Sequence, residues 1–333
     1  MHPDSLYPLF PIFSFLSFIL VLVPFPWHLQ AWNSGTCFYM MWTALACLNQ
    51  FINSVVWAND AINRAPVFCD ISTRITIAAS FGIPASALCI VRRLYIIASV
   101  RSASVSVSKK RKAMVVDAMI AVLFPLILTA LSYVVQGHRF DVLEEMGCAF
   151  FFVNTHLSYV LVFMWPVVIG LISSVYCILA LFAFRRQQLE ISRFLGSNSS
   201  LTVSRYVRLM ALAMTETMFT VPLGIFVMVL NATATKVHPW ISWEETHYDF
   251  GFVGQFPALF WRTQGLVVAS FEMNRWAPVL CAFVFFGFFG FAEECRRNYK
   301  ATFLAVLAYL GLNRQSSKSS SPYSPKSPSS SFS

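Results

Sequence analysis

Seven stretches of this chain are apolar and nearly free of charge: residues 6–27, 36–59, 69–91, 118–136, 155–184, 206–230 and 266–291. Roughly 20 mostly apolar residues carry one helix across a bilayer. The pattern predicts an all-α integral membrane protein, a seven-transmembrane helix bundle over residues 1–291, with no Gly/Ser linker dividing it. The fifth stretch is long enough to tilt or to project beyond the bilayer. The first is read as a span, not a secretory leader, because no basic segment precedes its apolar core and no small-residue cleavage pattern follows it. Residues 292–312 open with charges and then repeat Phe303, Val306, Leu307 and Leu310 at helical spacing, which predicts an interfacial amphipathic helix. Residues 313–333 hold 11 Ser and no apolar period. They read as a disordered Ser/Pro-rich cytoplasmic tail.

Composition narrows the class. Apolar residues make up 57% of the 333 and charged residues 12%, whereas soluble domains carry about 25% charged residues. A soluble enzyme is not expected, and a disordered or fibrous protein is excluded. The net charge of +9 would point to nucleic acid in a soluble domain. Here its distribution gives another cause. With the N-terminus outside, 18 of the 24 Lys and Arg fall on inner segments and only Arg64, Arg139, Lys236 and Arg262 on outer ones. That asymmetry is the positive-inside bias of membrane proteins, and no nucleic-acid partner is expected.

Enzyme chemistry is not written in the motifs. There is no HExxH, P-loop or GxSxG, the six His lack ligand spacing, and no Lys lies within a span to carry a retinal Schiff base. Neither a catalytic residue, a metal nor a cofactor is expected. Polar groups at membrane depth are costly and are functional candidates, with a structural hydrogen bond between helices as the alternative for any single one. Asp70 and Arg74 stand four apart on one helix face and Glu272 and Arg275 three apart, so each pair can form an ion pair. Asn49, Asn53 and Trp57 share a face of the second span. Glu216 has no partner visible in sequence, and Asp117 lies at the inner mouth of the fourth span. Cys69 and Cys148 both fall on the outer side and can pair there. Cys295 on the inner side is a candidate for palmitoylation, with a free thiol as the alternative. The outer loop after the sixth span, about residues 231–265, is dense in aromatics, including Trp243 and Phe256, and reads as a lid at the interface. Its sequon at Asn231 lies too close to the span to be used.

Seven spans, an outer N-terminus, basic inner loops and an eighth interfacial helix match the plan of a G-protein-coupled receptor. The local sequence resembles the fungal receptors for lipid-modified peptide mating pheromones, the a-factor-receptor type of class D. The matching stretches are residues 53–57 (NSVVW), 69–71 (CDI), Pro84-Ala85, 89–94 (CIVRRL), 136–140 (QGHRF), Gly147-Cys148, Pro166 and 285–291 (FFGFFGF). The resemblance implies a plasma-membrane receptor for a farnesylated peptide pheromone, activating a heterotrimeric G protein and a mating MAP-kinase pathway. Under it, the ligand is expected among Asn53, Trp57, Asp70, Arg74, Tyr133, Glu144, Glu145, Glu272 and Arg275, below Trp243 and Phe256. The G protein is expected at Arg92, Arg93, Arg185, Arg186, Arg205 and Arg208. Membrane lipid is the remaining partner, and homo-oligomerisation is left open. A seven-helix transporter or lipid-handling membrane protein is the alternative reading.

Overall fold

The computed structural model describes residues 7–99, 107–192, 200–234, 236–263 and 265–291. The expected helix at 292–312, the tail at 313–333 and Cys295 lie outside the described residues.

All seven apolar stretches are helical. Proline sets where they bend. Helix α1 (Leu9–Leu22) gives way to α2 (Phe25–Gln30) at Pro24, and Pro26 lies in the first turn of α2, where its missing N–H costs nothing. Helix α3 (Ser34–Val56) and α4 (Pro66–Ser99) follow. The fourth stretch is composite: α5 (Val107–Ala118), a π-helical turn at Met119–Leu123, α6 (Phe124–Leu131) and a 3-10 turn at Ser132–Val135. Pro125 explains the π turn. It has no N–H for the Ala121 carbonyl four residues back, and the Trp42 indole N–H of α3 takes that carbonyl instead, at 2.7 Å. The fifth stretch repeats the device, with α7 (His156–Ser158), a π turn at Tyr159–Phe163, and Pro166 inside the start of α8 (Met164–Ser192). Helix α9 (Ser200–Ala234) runs past its apolar stretch. The Asn231 side chain donates to the Val227 carbonyl and its own carbonyl accepts from Asn154, both at 2.8 Å. The sequon is thus committed to a helix.

Helix α4 is the axis of the bundle. It packs against α3, α6, α8 and α9, and 72% of its most apolar stretch is buried, against 33% or less in the other four apolar helices. Trp42 lies flat where Gly82 of α4 leaves room; a Cβ on Gly82 would come within 2.5 Å of the indole. Among the described residues, five helical segments are long and apolar enough to cross a membrane: Leu9–Gln30, Pro66–Ser99, Ser108–Val135, His156–Arg186 and Tyr206–Thr233. Helix α3 and α12 (Gly265–Phe289) fall short of that measure. Both carry polar side chains, among them Asn49 and Asn53 in α3 and Glu272 and Arg275 in α12. On α8, Leu171, Val175, Ile178 and Phe182 are exposed at helical spacing. Such an apolar outer face suits lipid.

Candidate functional site

One end of the bundle carries a small sheet that loop statistics do not suggest. Strand β1 (Phe140–Leu143) pairs antiparallel with β2 (Gly147–Ala149), Val142 opposite Cys148. The loop between α9 and α12 contributes α10 (Trp243–Thr246), β3 (Val253–Phe256) and α11 (Ala258–Trp261). Strand β3 adds to β1 in parallel, Val142 opposite Gln255, giving the order β2-β1-β3. Part of the aromatic loop, including Phe256, is therefore a strand of the sheet, while Trp243 lies in α10.

Three devices fix the hairpin on the helices. A disulfide joins Cys69, in the first turn of α4, to Cys148, with Cα atoms 5.2 Å apart. Asn53 is buried and spent on structure. Its amide donates to the Ser72 hydroxyl (2.7 Å) and the Asn49 carbonyl (2.8 Å), while its Oδ1 accepts from the Cys148 N–H (2.8 Å). Gly147 has φ +79°, and a Cβ there would strike the Asn53 side chain at 2.4 Å, so glycine alone fits. Trp57 is fully buried, donates to the Ile62 carbonyl at 2.9 Å, and packs with Phe68, Cys69, Phe140 and Val142.

The expected Asp70–Arg74 pair does not form. Asp70 takes the Arg139 guanidinium in two contacts, Nε to Oδ1 at 2.8 Å and Nη2 to Oδ2 at 2.5 Å, and that carboxylate raises the Arg139 pKa. Arg74 instead donates to Gln136 Oε1 at 2.5 Å and lies over the Tyr133 ring at 5.4 Å. Gln136 in turn donates to the carbonyls of His138 and Arg139. Distant partners displaced the helical neighbour because the segment at 136–139 lies against α4 and supplies a fork and a carbonyl-locked amide. Neither Gln136 nor Arg139 was singled out by charge spacing.

The Glu272–Arg275 pair does form, Nε to Oε2 at 2.7 Å, and it belongs to a larger latch. Glu145 has φ +71°, an uncommon backbone for a side chain with a Cβ. Its N–H donates to the Trp57 carbonyl at 2.7 Å, its buried carboxylate accepts from Arg262 Nη2 at 2.6 Å, and its carbonyl accepts from Arg275 at 3.4 Å. Arg262 also reaches Glu272 at 3.5 Å, and Arg275 lies 4.3 Å over the Phe10 ring of α1. Glu144 accepts from the Ala258 N–H at 2.7 Å, and its carbonyl accepts from the Trp261 indole at 3.2 Å. At the lid's far side Trp243 stacks on His247, whose Nε2 meets the Tyr133 carbonyl at 3.0 Å. Phe256 is exposed at the end of β3. Beside it opens a groove of about 380 Å³ lined by Asn59, Asp60, Ala61, Ile62, Glu144, Gln255 and Pro257. The Ile62 N–H, with Arg64 alongside, holds the Asp60 carboxyl below its usual range, and Arg64 pairs with that carboxylate.

At the opposite end of the bundle, Asp117 is fully buried. It accepts from Ser34 Oγ at 2.5 Å and Arg92 Nη2 at 2.7 Å, with Arg93 Nη1 at 3.9 Å. Arg185 and Arg186 are exposed on α8. Arg208 donates to Ser204, and Arg205 lies in the first part of α9. Phe184 stacks on Tyr206 at 4.2 Å, which places those two helix ends side by side. Deep in the bundle Glu216 has three partners from three helices: Thr220 (2.7 Å), Cys281 (3.1 Å) and Tyr39 (3.2 Å).

The sequence comparisons agree with this layout. Residues 9–309 match the family described as STE3, pheromone A receptor. The pheromone B alpha 3 receptor of Schizophyllum commune is 56% identical over 309 residues, which cover 93% of this chain and 49% of that protein. Pheromone receptor 1 of Mycosarcoma maydis is 32% identical over 307 residues, 92% of this chain and 86% of the relative. The pheromone a factor receptor of Saccharomyces cerevisiae is 23% identical over 293 residues, 85% and 59%. The chain spans about half the length of the Schizophyllum relatives it matches. With the family match running through all the helices described, the chain belongs to the STE3 pheromone A receptor family.

Proposed function

We propose that this chain is a seven-span plasma-membrane receptor for a farnesylated peptide mating pheromone, coupled to a heterotrimeric G protein and through it to a mating MAP-kinase pathway. The observation that carries this reading is the family match over residues 9–309, together with relatives named as pheromone receptors. We place the hairpin end outside the cell. A disulfide needs an oxidising compartment, and the Lys and Arg concentrate at the other end.

In this reading the ligand's polar part meets Asp70, Arg74, Tyr133, Glu144, Glu145, Glu272 and Arg275 under the lid of Trp243 and Phe256. Asn53 and Trp57 act by holding the hairpin in place. Arg262 fastens the lid, so binding exchanges lid contacts for ligand contacts. Arg92, Arg93, Arg185, Arg186, Arg205 and Arg208 form a cationic rim that favours encounter with an acidic partner surface. The test is a panel of synthetic farnesylated peptides applied to cells carrying this receptor and a mating reporter. Reporter induction by at least one peptide is expected. Uptake of a solute into receptor vesicles, with no reporter response to any peptide, would favour the transporter reading.

A further inference from the structure

We infer that Asp117 is a brake on signalling, because its buried carboxylate holds the arginines at the end of α4 against α3 and so withholds them from a partner. This rests on the proposed coupling to a G protein at that end. Asp117 is the penultimate residue of α5 and is fully buried, while Arg92 and Arg93 are about one-fifth exposed. The Arg92 guanidinium turns inward, while Arg93 is held at the exposed backbone just before α3. Arg92 meets Asp117 Oδ1 at 2.7 Å. Arg93 donates to the Trp32 carbonyl at 2.5 Å and to Ser34 Oγ at 3.3 Å, and Ser34 itself grips Asp117 Oδ2 at 2.5 Å. Three segments, α3, α4 and α5, are therefore tied by one carboxylate.

The tie sits beside an irregular turn of the same helical rod. The π turn at Met119–Leu123 begins two residues after Asp117. It is held from outside by the Trp42 indole on the Ala121 carbonyl and the Cys89 thiol on the Asp117 carbonyl, at 2.7 and 3.7 Å. Moving one residue through such a turn rotates the preceding helix by roughly 100°. A rotation of that size carries Asp117 away from Arg92 and Ser34. The same rod continues through α6 to Tyr133, where His247 of the lid is attached. Lid and brake thus sit at the two ends of one helical rod with a π turn in its middle, where a shift of register would link them.

The test is ligand-independent nucleotide exchange on a fungal heterotrimeric G protein, with the full chain reconstituted in lipid vesicles. Asp117→Asn keeps the shape and the hydrogen-bonding capacity but removes the charge. Exchange should rise roughly fivefold or more, Asp117→Glu should stay near the parent, and Arg92→Gln with Arg93→Gln should abolish the rise. Unchanged or lower exchange in Asp117→Asn, with normal insertion, overturns the brake. So does a rise that persists when both arginines are gone. If Asp117→Asn fails to insert, Ser34→Ala removes one grip on the carboxylate and should raise exchange by a smaller factor; unchanged exchange there also overturns it. Arg92→Gln with Arg93→Gln alone separates the two readings: intact pheromone-stimulated exchange would mean that the partner does not need these arginines and would overturn the brake, whereas a parent chain that stimulates no exchange with any farnesylated peptide would overturn the proposed coupling instead.

Discussion

Asn53 shows how much a single amide can hold. It satisfies a hydroxyl, a helix carbonyl and the N–H of Cys148. Leaving such buried partners unmet costs about 1–3 kcal/mol. Asn53→Leu should therefore lower thermal stability by that order and loosen the hairpin. Removing the neighbouring disulfide acts differently. Cys69 and Cys148 are 79 residues apart, and closing a loop of that length is worth about 4 kcal/mol in the chain-entropy account. Cys148→Ser should lower the unfolding temperature in non-reducing conditions, while the wild type in reductant falls to the same value. Mass spectrometry of the unreduced receptor should find the Cys69–Cys148 cross-link, and free thiols at both positions would contradict it.

At the scale of elements, the composite helices and the lid are held by contacts that substitution can probe one at a time. If Trp42 substitutes for the N–H that Pro125 lacks, the two positions are coupled. Trp42→Phe should cost about 1–2 kcal/mol for the lost bond to the Ala121 carbonyl. In a Pro125→Ala background that cost should shrink, because the alanine N–H can serve the same carbonyl. Purely additive effects would sink this explanation of the π turn. The lid makes a second prediction. Arg262→Gln removes the ion pair with Glu145 while keeping a hydrogen-bonding side chain. Amide exchange at Val253–Phe256 should then speed up by about tenfold, with the helices unchanged. Equal protection in both proteins would mean that the parallel pairing with β1, not the latch, holds the lid.

Much of this was legible in the chain. The helices over the apolar stretches follow from charge-free length, and Pro125 and Pro166 mark the two π turns, whereas Pro84, Pro222 and Pro278 break nothing and sit inside continuous helices. Glu272 and Arg275 paired as a three-residue helical spacing allows. Other features were hidden because their partners are remote in sequence. Asp70 could not be assigned to Arg139, 69 residues on, when Arg74 stood one turn away. Strand β3 is four residues long and pairs in parallel across a long connection, so no hairpin turn signals it. Glu216 showed no partner because Tyr39 and Cys281 arrive from α3 and α12.

For the whole molecule, the account is of a bundle with a latched sheet at one end and a carboxylate-held set of arginines at the other, joined by helical rods, two of which carry a π turn just before a proline. Its central claim is that a lipid-modified peptide at the sheet changes what the arginine end can do. The most direct measurement is nucleotide exchange on a heterotrimeric G protein in vesicles holding the purified chain, with a farnesylated peptide identified by the reporter panel. The account predicts that exchange accelerates with that peptide, accelerates far less with the same peptide lacking its lipid, and is restrained by Asp117. Exchange that ignores the peptide in an inserted, disulfide-bonded receptor would contradict it.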